Sequence, residues 1–341
     1  MMILEGLASA VPEHSFRQAE VWERVGEGGM MAHLNPRSHK LMEKVLKGES
    51  GIEERRFVLP DIERLFSMDA QELNEAYEQA APALAAQALA TALEKAELQA
   101  VELDALLVCS CTGYLCPGLS SHVGELAGVR GDAFLQDVTG FGCGAALPMW
   151  RVAEGFLAAN PGAKVATVAV EICSLAFFLN DEPGVLLSAC LFGDGAAAAV
   201  WSDEAREGAW RAGQFQTVHL PEERERIRFV NEKGFLKNQL CRTVPVLAGE
   251  AVEGLWNKRT REPGAVIAHG GGRDVIEELE RRLGLSLAAS REVMRKFGNC
   301  SSPSVMMALE AYLNDSPAED ALWLTSFGAG FAAHSAELQK N

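Results

Sequence analysis

One cysteine sits in a setting suited to covalent chemistry. Cys143 lies in Val138-Thr139-Gly140-Phe141-Gly142-Cys143-Gly144-Ala145-Ala146-Leu147-Pro148-Met149-Trp150, with small residues around the thiol and an apolar, helix-prone run behind it. That pattern presents a sulfur at the start of a buried helix, where unpaired N–H groups favour thiolate over thiol. A thiolate in an apolar site is a nucleophile for an acyl group. Taken alone, the segment also suits a small core cysteine.

Two later segments add partners. His269 ends an apolar run at 264–268 and is followed by Gly270-Gly271-Gly272. A lone histidine there could be a core residue bonded to a carbonyl. Three glycines instead allow close backbone approach or positive φ, which makes Gly271 and Gly272 candidates for substrate contact. Asn299 lies in Lys296-Phe297-Gly298-Asn299-Cys300-Ser301-Ser302-Pro303-Ser304. It could cap the next helix, but Ser301 or Ser302 would serve equally well and leave Asn299 free.

Together Cys143, His269 and Asn299 suit thioester acyl transfer with carbon–carbon bond formation. The thiolate takes an acyl group from a carrier. His269 and Asn299 then donate hydrogen bonds to the thioester carbonyl of a malonyl-type substrate, stabilising the enolate left by decarboxylation. An ion pair with His269 would further favour the Cys143 thiolate. Cysteine proteases use the same three residue types, with Asn orienting His. The glycine-rich setting and repeated halves favour condensation.

The elements that must position these groups alternate in type. Residues 103–108 read as a buried strand ending at Cys109-Ser110-Cys111-Thr112-Gly113, and 164–171 as another. Leu191-Phe192-Gly193-Asp194-Gly195-Ala196-Ala197-Ala198-Ala199-Val200 reads as a turn and a tightly packed strand. The Cys143 helix runs to about Ala159, where Asn160-Pro161-Gly162 stops it. In the second half, 264–268 and 321–325 read as strands, and 274–283 and 302–313 as helices. Strand-to-Cys/Thr/Gly in one half matches strand-to-His/Gly in the other, which predicts an internal duplication with active groups at strand ends. Helical spacing marks 17–24, 37–46 and 70–100; 51–57 reads as an exposed link and 208–228 as a solvated surface.

Bulk properties bound the partners. The chain has 341 residues, 48% hydrophobic, and a net charge of −16. That length suits two halves with a large core. The acidic balance argues against nucleic acid or an anionic membrane surface. No run is long enough for a membrane span, and Met1-Met2-Ile3-Leu4-Glu5 lacks a basic leader, so a cytoplasmic location is expected. Eight cysteines would then stay reduced, and their spacing fits no common zinc pattern, so no metal is expected.

These residues resemble the type III polyketide synthases, the chalcone synthase-like group of thiolase-fold condensing enzymes, with ketoacyl synthase III close behind. The resemblance covers about residues 40–335. It rests on Leu191-Phe192-Gly193-Asp194-Gly195-Ala196-Ala197, on Ile267-Ala268-His269-Gly270-Gly271-Gly272 with Gly270 in place of proline, and on Phe297-Gly298-Asn299-Cys300-Ser301-Ser302-Pro303 with Cys300 in place of methionine. It implies an α/β thiolase fold of duplicated αβαβα layered halves with mixed sheets, divided into 1–202 and 203–341.

It also implies Cys143 as acyl carrier, and His269 and Asn299 as the decarboxylation and oxyanion pair. Phe177, with Phe178 as its rival, would gate the cavity. Cys116 in Leu115-Cys116-Pro117-Gly118 would reach into a partner's cavity, hence a homodimer. Arg55 and Arg56 stand where CoA phosphates would be met. The implied substrates are acyl-CoA and malonyl-CoA, with no cofactor, giving short polyketides such as pyrones or resorcinol-type rings. Phe327-Gly328-Ala329-Gly330-Phe331 lacks a proline of the plant-type loop, and the chain is trimmed after Val200. Two rivals stand beside this reading. One is a single condensation, as in ketoacyl synthase III or a long-chain acyl–acyl condensing enzyme. The other is a non-catalytic thiolase-fold partner subunit.

Overall fold

The structure is a computed structural model and describes residues 1–27, 29–315 and 318–341. Its strands, in chain order, are β1 (Met2–Ala10), β2 (His14–Arg17), β3 (Glu54–Phe57), β4 (Ala105–Cys109), β5 (Phe134–Val138), β6 (Val165–Glu171), β7 (Gly195–Ser202), β8 (Trp210–His219), β9 (Ile227–Glu232), β10 (Phe235–Leu240), β11 (Ala265–Ala268), β12 (Ala321–Gly328) and β13 (Ala332–Lys340). Nine of them form one mixed sheet in the order β11-β12-β13-β8-β1-β7-β6-β4-β5, while β2–β3 and β9–β10 form separate two-stranded antiparallel sheets.

Strands β4, β6 and β7 are buried along their whole length. They are largely apolar because both faces are covered. The two-residue period still assigns each side chain to a layer. Leu106, Val108, Val168 and Ala198 pack under the helix Ala70–Lys95. Their neighbours Ala105, Leu107, Ala169 and Ala199 join a second core around the helices Ala146–Ala159 and Ser304–Asn314. From the other half, Ile267, Leu322 and Leu324 enter that same central core. Val266, Ala268 and Trp323 face a third core under the helices Val244–Trp256 and Arg273–Leu283. The result is five layers, helix–sheet–helix–sheet–helix, with the Cys143 helix and its counterpart in the middle.

Several sequence expectations are met closely. One helix covers Ala70–Lys95 and opens with a capping box between Asp69 and Glu72. The Cys143 helix ends at Ala159, at the expected stop Asn160-Pro161-Gly162. Two expectations are overturned. Residues 51–57 are no exposed link: Glu54–Phe57 is a strand paired with His14–Arg17, and its inward residues Arg55 and Phe57 are almost fully buried. Residues 208–228 are not simply a solvated surface. Trp210–His219 is a strand inside the main sheet, paired with β1 and β13. It is polar because many of its side chains are only half-covered, so it lacks the apolar run that marked its neighbours.

Candidate active site

Cys143 sits in a tight turn, Gly142–Gly144, directly before the central helix Ala146–Ala159. The end of β12 packs against this turn. A Cβ on Gly328 would stand 2.3 Å from the Phe141 carbonyl oxygen and 3.0 Å from the Cys143 nitrogen, so only glycine lets the second half approach so closely. His269 follows β11, where its N–H donates to the Thr325 carbonyl at 2.8 Å. Its ring lies 5.2 Å from that of Phe327. Gly271 takes φ +63° beside the Phe327 ring, which turns the glycine segment inward.

Asn299 ties the two segments together. Its Nδ2 donates to the Gly271 carbonyl at 2.8 Å, and its Oδ1 accepts from the Ser301 N–H at 2.8 Å. Its backbone bridges Phe192 in the first half. An amide has two Nδ2 hydrogens, so a second one is available to a substrate oxygen.

Cys143, His269 and Asn299 line one cavity of about 480 Å³. Each is at least 93% buried, whereas Lys44 and Arg242 on the same cavity are exposed. Arg273 is half-buried and pairs with Asp274 and Glu277. The cavity therefore has an apolar floor with the reactive groups and a cationic rim. Cys241 also stands at this rim. Hydrogen bonds from Thr243, then Arg226, lower its thiol below the ordinary range.

Burial opposes the thiolate–imidazolium pair expected from sequence. It pushes the Cys143 thiol up to about 12, with Ser301 and the Cys143 backbone N–H pulling the other way. It pushes His269 down to about 4. Both groups rest neutral at pH 7, because an apolar site penalises each charge separately.

Gly271 and Gly272 line the same cavity, whereas the other expected residues fall elsewhere. Phe177 and Phe178 line a different cavity of about 310 Å³, with Met30, Phe66, Met68 and Phe235 among its walls. Phe177 stacks on Phe66 and meets Phe57 edge-on. The phenylalanines on the cavity of the reactive groups are Phe192, from the Phe-Gly-Asp-Gly segment, and Phe327. Arg55 is no phosphate contact. It is fully buried, donating to Gln18 Oε1 at 2.8 Å and to the Ala189 and Phe192 carbonyls at 2.7 and 2.8 Å. Its guanidinium lies over the Phe57 ring. Arg56 pairs with Glu54 and donates to the Glu13 carbonyl, also away from the cavity. Cys116 is exposed on a loop outside its own chain's cavity, near the exposed Tyr114 and after the half-buried Leu115.

Two residues escaped the sequence reading. Glu171, fully buried at the end of β6, accepts from the Cys111 and Thr112 N–H groups at 2.9 and 3.1 Å and from the Ser302 hydroxyl at 2.6 Å. Ser301 Oγ lies 3.2 Å from Cys143 Sγ. A carboxylate ending an otherwise apolar strand was the available signal, since a buried charge needs partners. Among the described residues no group of His, Cys, Asp and Glu could hold a metal ion.

The five layers and the clustered thiol, imidazole and amide define a thiolase-fold condensing enzyme. The chain belongs to the FAE1/type III polyketide synthase-like family, whose model matches residues 14–220. Residues 257–340 match the C-terminal part of 3-oxoacyl-[acyl-carrier-protein] synthase III. The 1,3,6,8-tetrahydroxynaphthalene synthase of Streptomyces peucetius is 29% identical over 95% of this chain and 89% of its own length. The alpha-pyrone synthesis polyketide synthase-like Pks18 of Mycobacterium tuberculosis is 27% identical over 97% and 87%. Among solved structures, the tetrahydroxynaphthalene synthase of Streptomyces coelicolor superposes with a TM-score of 0.87 at 25% identity, covering 99% of each chain. PKS-I of the brown alga Ectocarpus siliculosus reaches a TM-score of 0.91 at 23% identity, over 100% of this chain and 98% of its own.

Proposed function

We propose that this enzyme is an acyltransferase that condenses malonyl-CoA onto a Cys143-bound acyl starter to give short polyketides. The observation that carries the reading is the single cavity holding Cys143, His269 and Asn299 beneath a cationic rim. The Cys143 thiolate attacks the starter thioester and expels CoA. Malonyl-CoA then loses carbon dioxide, and His269 and the spare Asn299 hydrogen stabilise the enolate oxygen. The enolate carbon attacks the Cys143 thioester, and the thiolate leaves. No further cofactor takes part. Lys44, Arg242 and Arg273 suit the CoA phosphates through charge-assisted contacts.

Phe192, rather than Phe177 or Phe178, serves as the aromatic wall beside the growing chain. The cavity falls within the range of about 300–1,000 Å³ that small-molecule sites occupy, enough for a chain longer than one condensation product. A homodimer fits the exposed edge of β5, where Phe134 and Leu135 are uncovered. The exposed Cys116 loop suits a contact with the partner's cavity. Halves divided at 1–202 and 203–341 agree with the strand order. A cytoplasmic site is consistent with the absence, among the described residues, of a helix long and apolar enough to cross a membrane.

Incubating the enzyme with a panel of acyl-CoAs plus malonyl-CoA and reading product masses tests this. Products carrying two or more malonyl-derived units are expected. A single unit in every product would favour the one-condensation alternative.

A further inference from the structure

Arg55 does not line the cavity, yet it holds residues that do. It is fully buried, and its hydrogen bonds go to neutral oxygens. The buried carboxylate of Asp194 is turned to other donors, the Ser174 N–H and hydroxyl and the Val58 N–H. Among the described residues Arg55 Nη2 has no hydrogen-bond partner. A buried cation held in this way is a weak source of stability, since an apolar side chain of similar volume often serves as well. Its contacts with the site account for it instead.

Gln18 Oε1 accepts from Arg55 Nε at 2.8 Å, which fixes the guanidinium. Its Nη1 then donates to the Ala189 and Phe192 carbonyls at 2.7 and 2.8 Å. Both lie at the C-terminal end of the helix Pro183–Leu191, where carbonyls lack helical partners and positive charge is favoured. Between them, the Leu191 carbonyl accepts from the Asn299 N–H at 2.8 Å, and the Gly193 N–H donates to the Asn299 carbonyl at 3.0 Å. The segment 189–193 thus has Arg55 on one side and the Asn299 backbone on the other. The Arg55 stem also packs under the residue before Asn299: a Cβ on Gly298 would stand 3.0 Å from Arg55 Cγ.

We propose that Arg55 is a positioning residue for malonyl decarboxylation, setting the Asn299 backbone and with it the direction of the Asn299 amide. The proposal rests on the reading of Asn299 as a donor to the enolate oxygen. A neutral side chain at 55 leaves the Ala189 and Phe192 carbonyls unpaired in the interior, so the segment 189–193 shifts and carries Asn299 with it. Lysine restores the charge but not the fixed planar fork that reaches Gln18 and both carbonyls at once. A small displacement of an aimed group costs far more in rate than in stability. Cys143 stands on a separate turn, packed against the end of β12, and keeps its place.

Two rates in the full chain test this. One is malonyl-CoA decarboxylation, read as acetyl-CoA formed. The other is alkylation of Cys143 by iodoacetamide, which needs no oxyanion donor and is read by peptide mass mapping. Arg55→Met should slow decarboxylation by about tenfold to a hundredfold while alkylation stays within about twofold of wild type. Arg55→Lys should decarboxylate at a rate between wild type and Arg55→Met. In an Asn299→Ala background, Arg55→Met should cost less than about twofold more, because residues that act as a unit are not additive. No decarboxylation by wild type, or full decarboxylation by Asn299→Ala, would sink the reading of Asn299 and this proposal with it. Where wild type is active and Asn299→Ala is not, four results would overturn the positioning role alone: unchanged decarboxylation in Arg55→Met, equal slowing of decarboxylation and alkylation, the same loss with and without Asn299, or failure of both Arg55 variants to fold.

Discussion

The strand ends that meet at Cys143 are built in opposite ways. At the ends of β4 and β6, every polar group is engaged: Glu171 gathers the Cys111 and Thr112 amides and the Thr112, Ser301 and Ser302 hydroxyls, and Tyr77 closes the network through Ser110. At the end of β11, three glycines follow His269, whose buried Nδ1 has no hydrogen-bond partner. The first end fixes a proton inventory beneath the sulfur. The second keeps donors unspent for a substrate oxygen. Damage to the first end should therefore appear as lost stability, and damage to the second as lost rate.

The largest effect removes the sulfur both ends share. Cys143→Ala should abolish the acyl-enzyme adduct formed with starter acyl-CoA, read by intact mass. An adduct that persists would move the nucleophile elsewhere. Next comes the engaged end. Glu171→Leu leaves several buried donors without an acceptor and should cost on the order of 3 kcal/mol or more of unfolding free energy, measured by urea titration. A loss below about 1 kcal/mol would show that the network is not what holds this end together.

The same contrast explains what could be read from the sequence. Largely apolar, fully buried strands such as β6 announce themselves, and so does a histidine before three glycines. Strand β8 does not, because it carries the exposed Arg211 and Gln214 and the half-covered Gln216 in a sheet interior. Arg55 looked like a surface cation. It is buried because β3 turns that side inward, where three oxygens and an aromatic face replace water. Phe177 and Phe192 are equally plausible as isolated letters. Only the bridge from Phe192 to Asn299 settles which one meets the reactive groups. Single-strand periodicity says which side chains point inward; it cannot say which of several cavities they reach.

The open end is tested by rate. Asn299→Ala should slow malonyl-CoA decarboxylation by about 10²–10³-fold, the usual cost of one oxyanion donor, while starter acylation of Cys143 survives. Equal loss of both steps would argue against separate roles. His269 offers a pH test of the same end. Its folded pKa of about 4 lies below the ordinary 6.5, so between these values the unfolded chain binds the proton and the folded chain does not. Stability attributable to neutral His269 is complete above pH 6.5 and falls as pH drops toward 4, by roughly 3 kcal/mol at most. Wild type should lose more stability than His269→Gln between pH 6.5 and 4.5. Parallel curves would mean that His269 is not held neutral by burial.

The smallest effect lies at the rim, outside both strand ends. Arg273 already pairs with Asp274 and Glu277, and exposed charge pairs contribute little each. Its contact with a CoA phosphate would be screened in the same way. Arg273→Gln should therefore raise KM for malonyl-CoA by roughly two- to fivefold, an effect of under about 1 kcal/mol. The increase should shrink as salt rises, because screening removes the same interaction, and kcat should hold. A fall in kcat with KM unchanged would place Arg273 nearer the reacting carbon than the exposed rim allows, and would blur the division between a cationic mouth and a neutral, apolar floor.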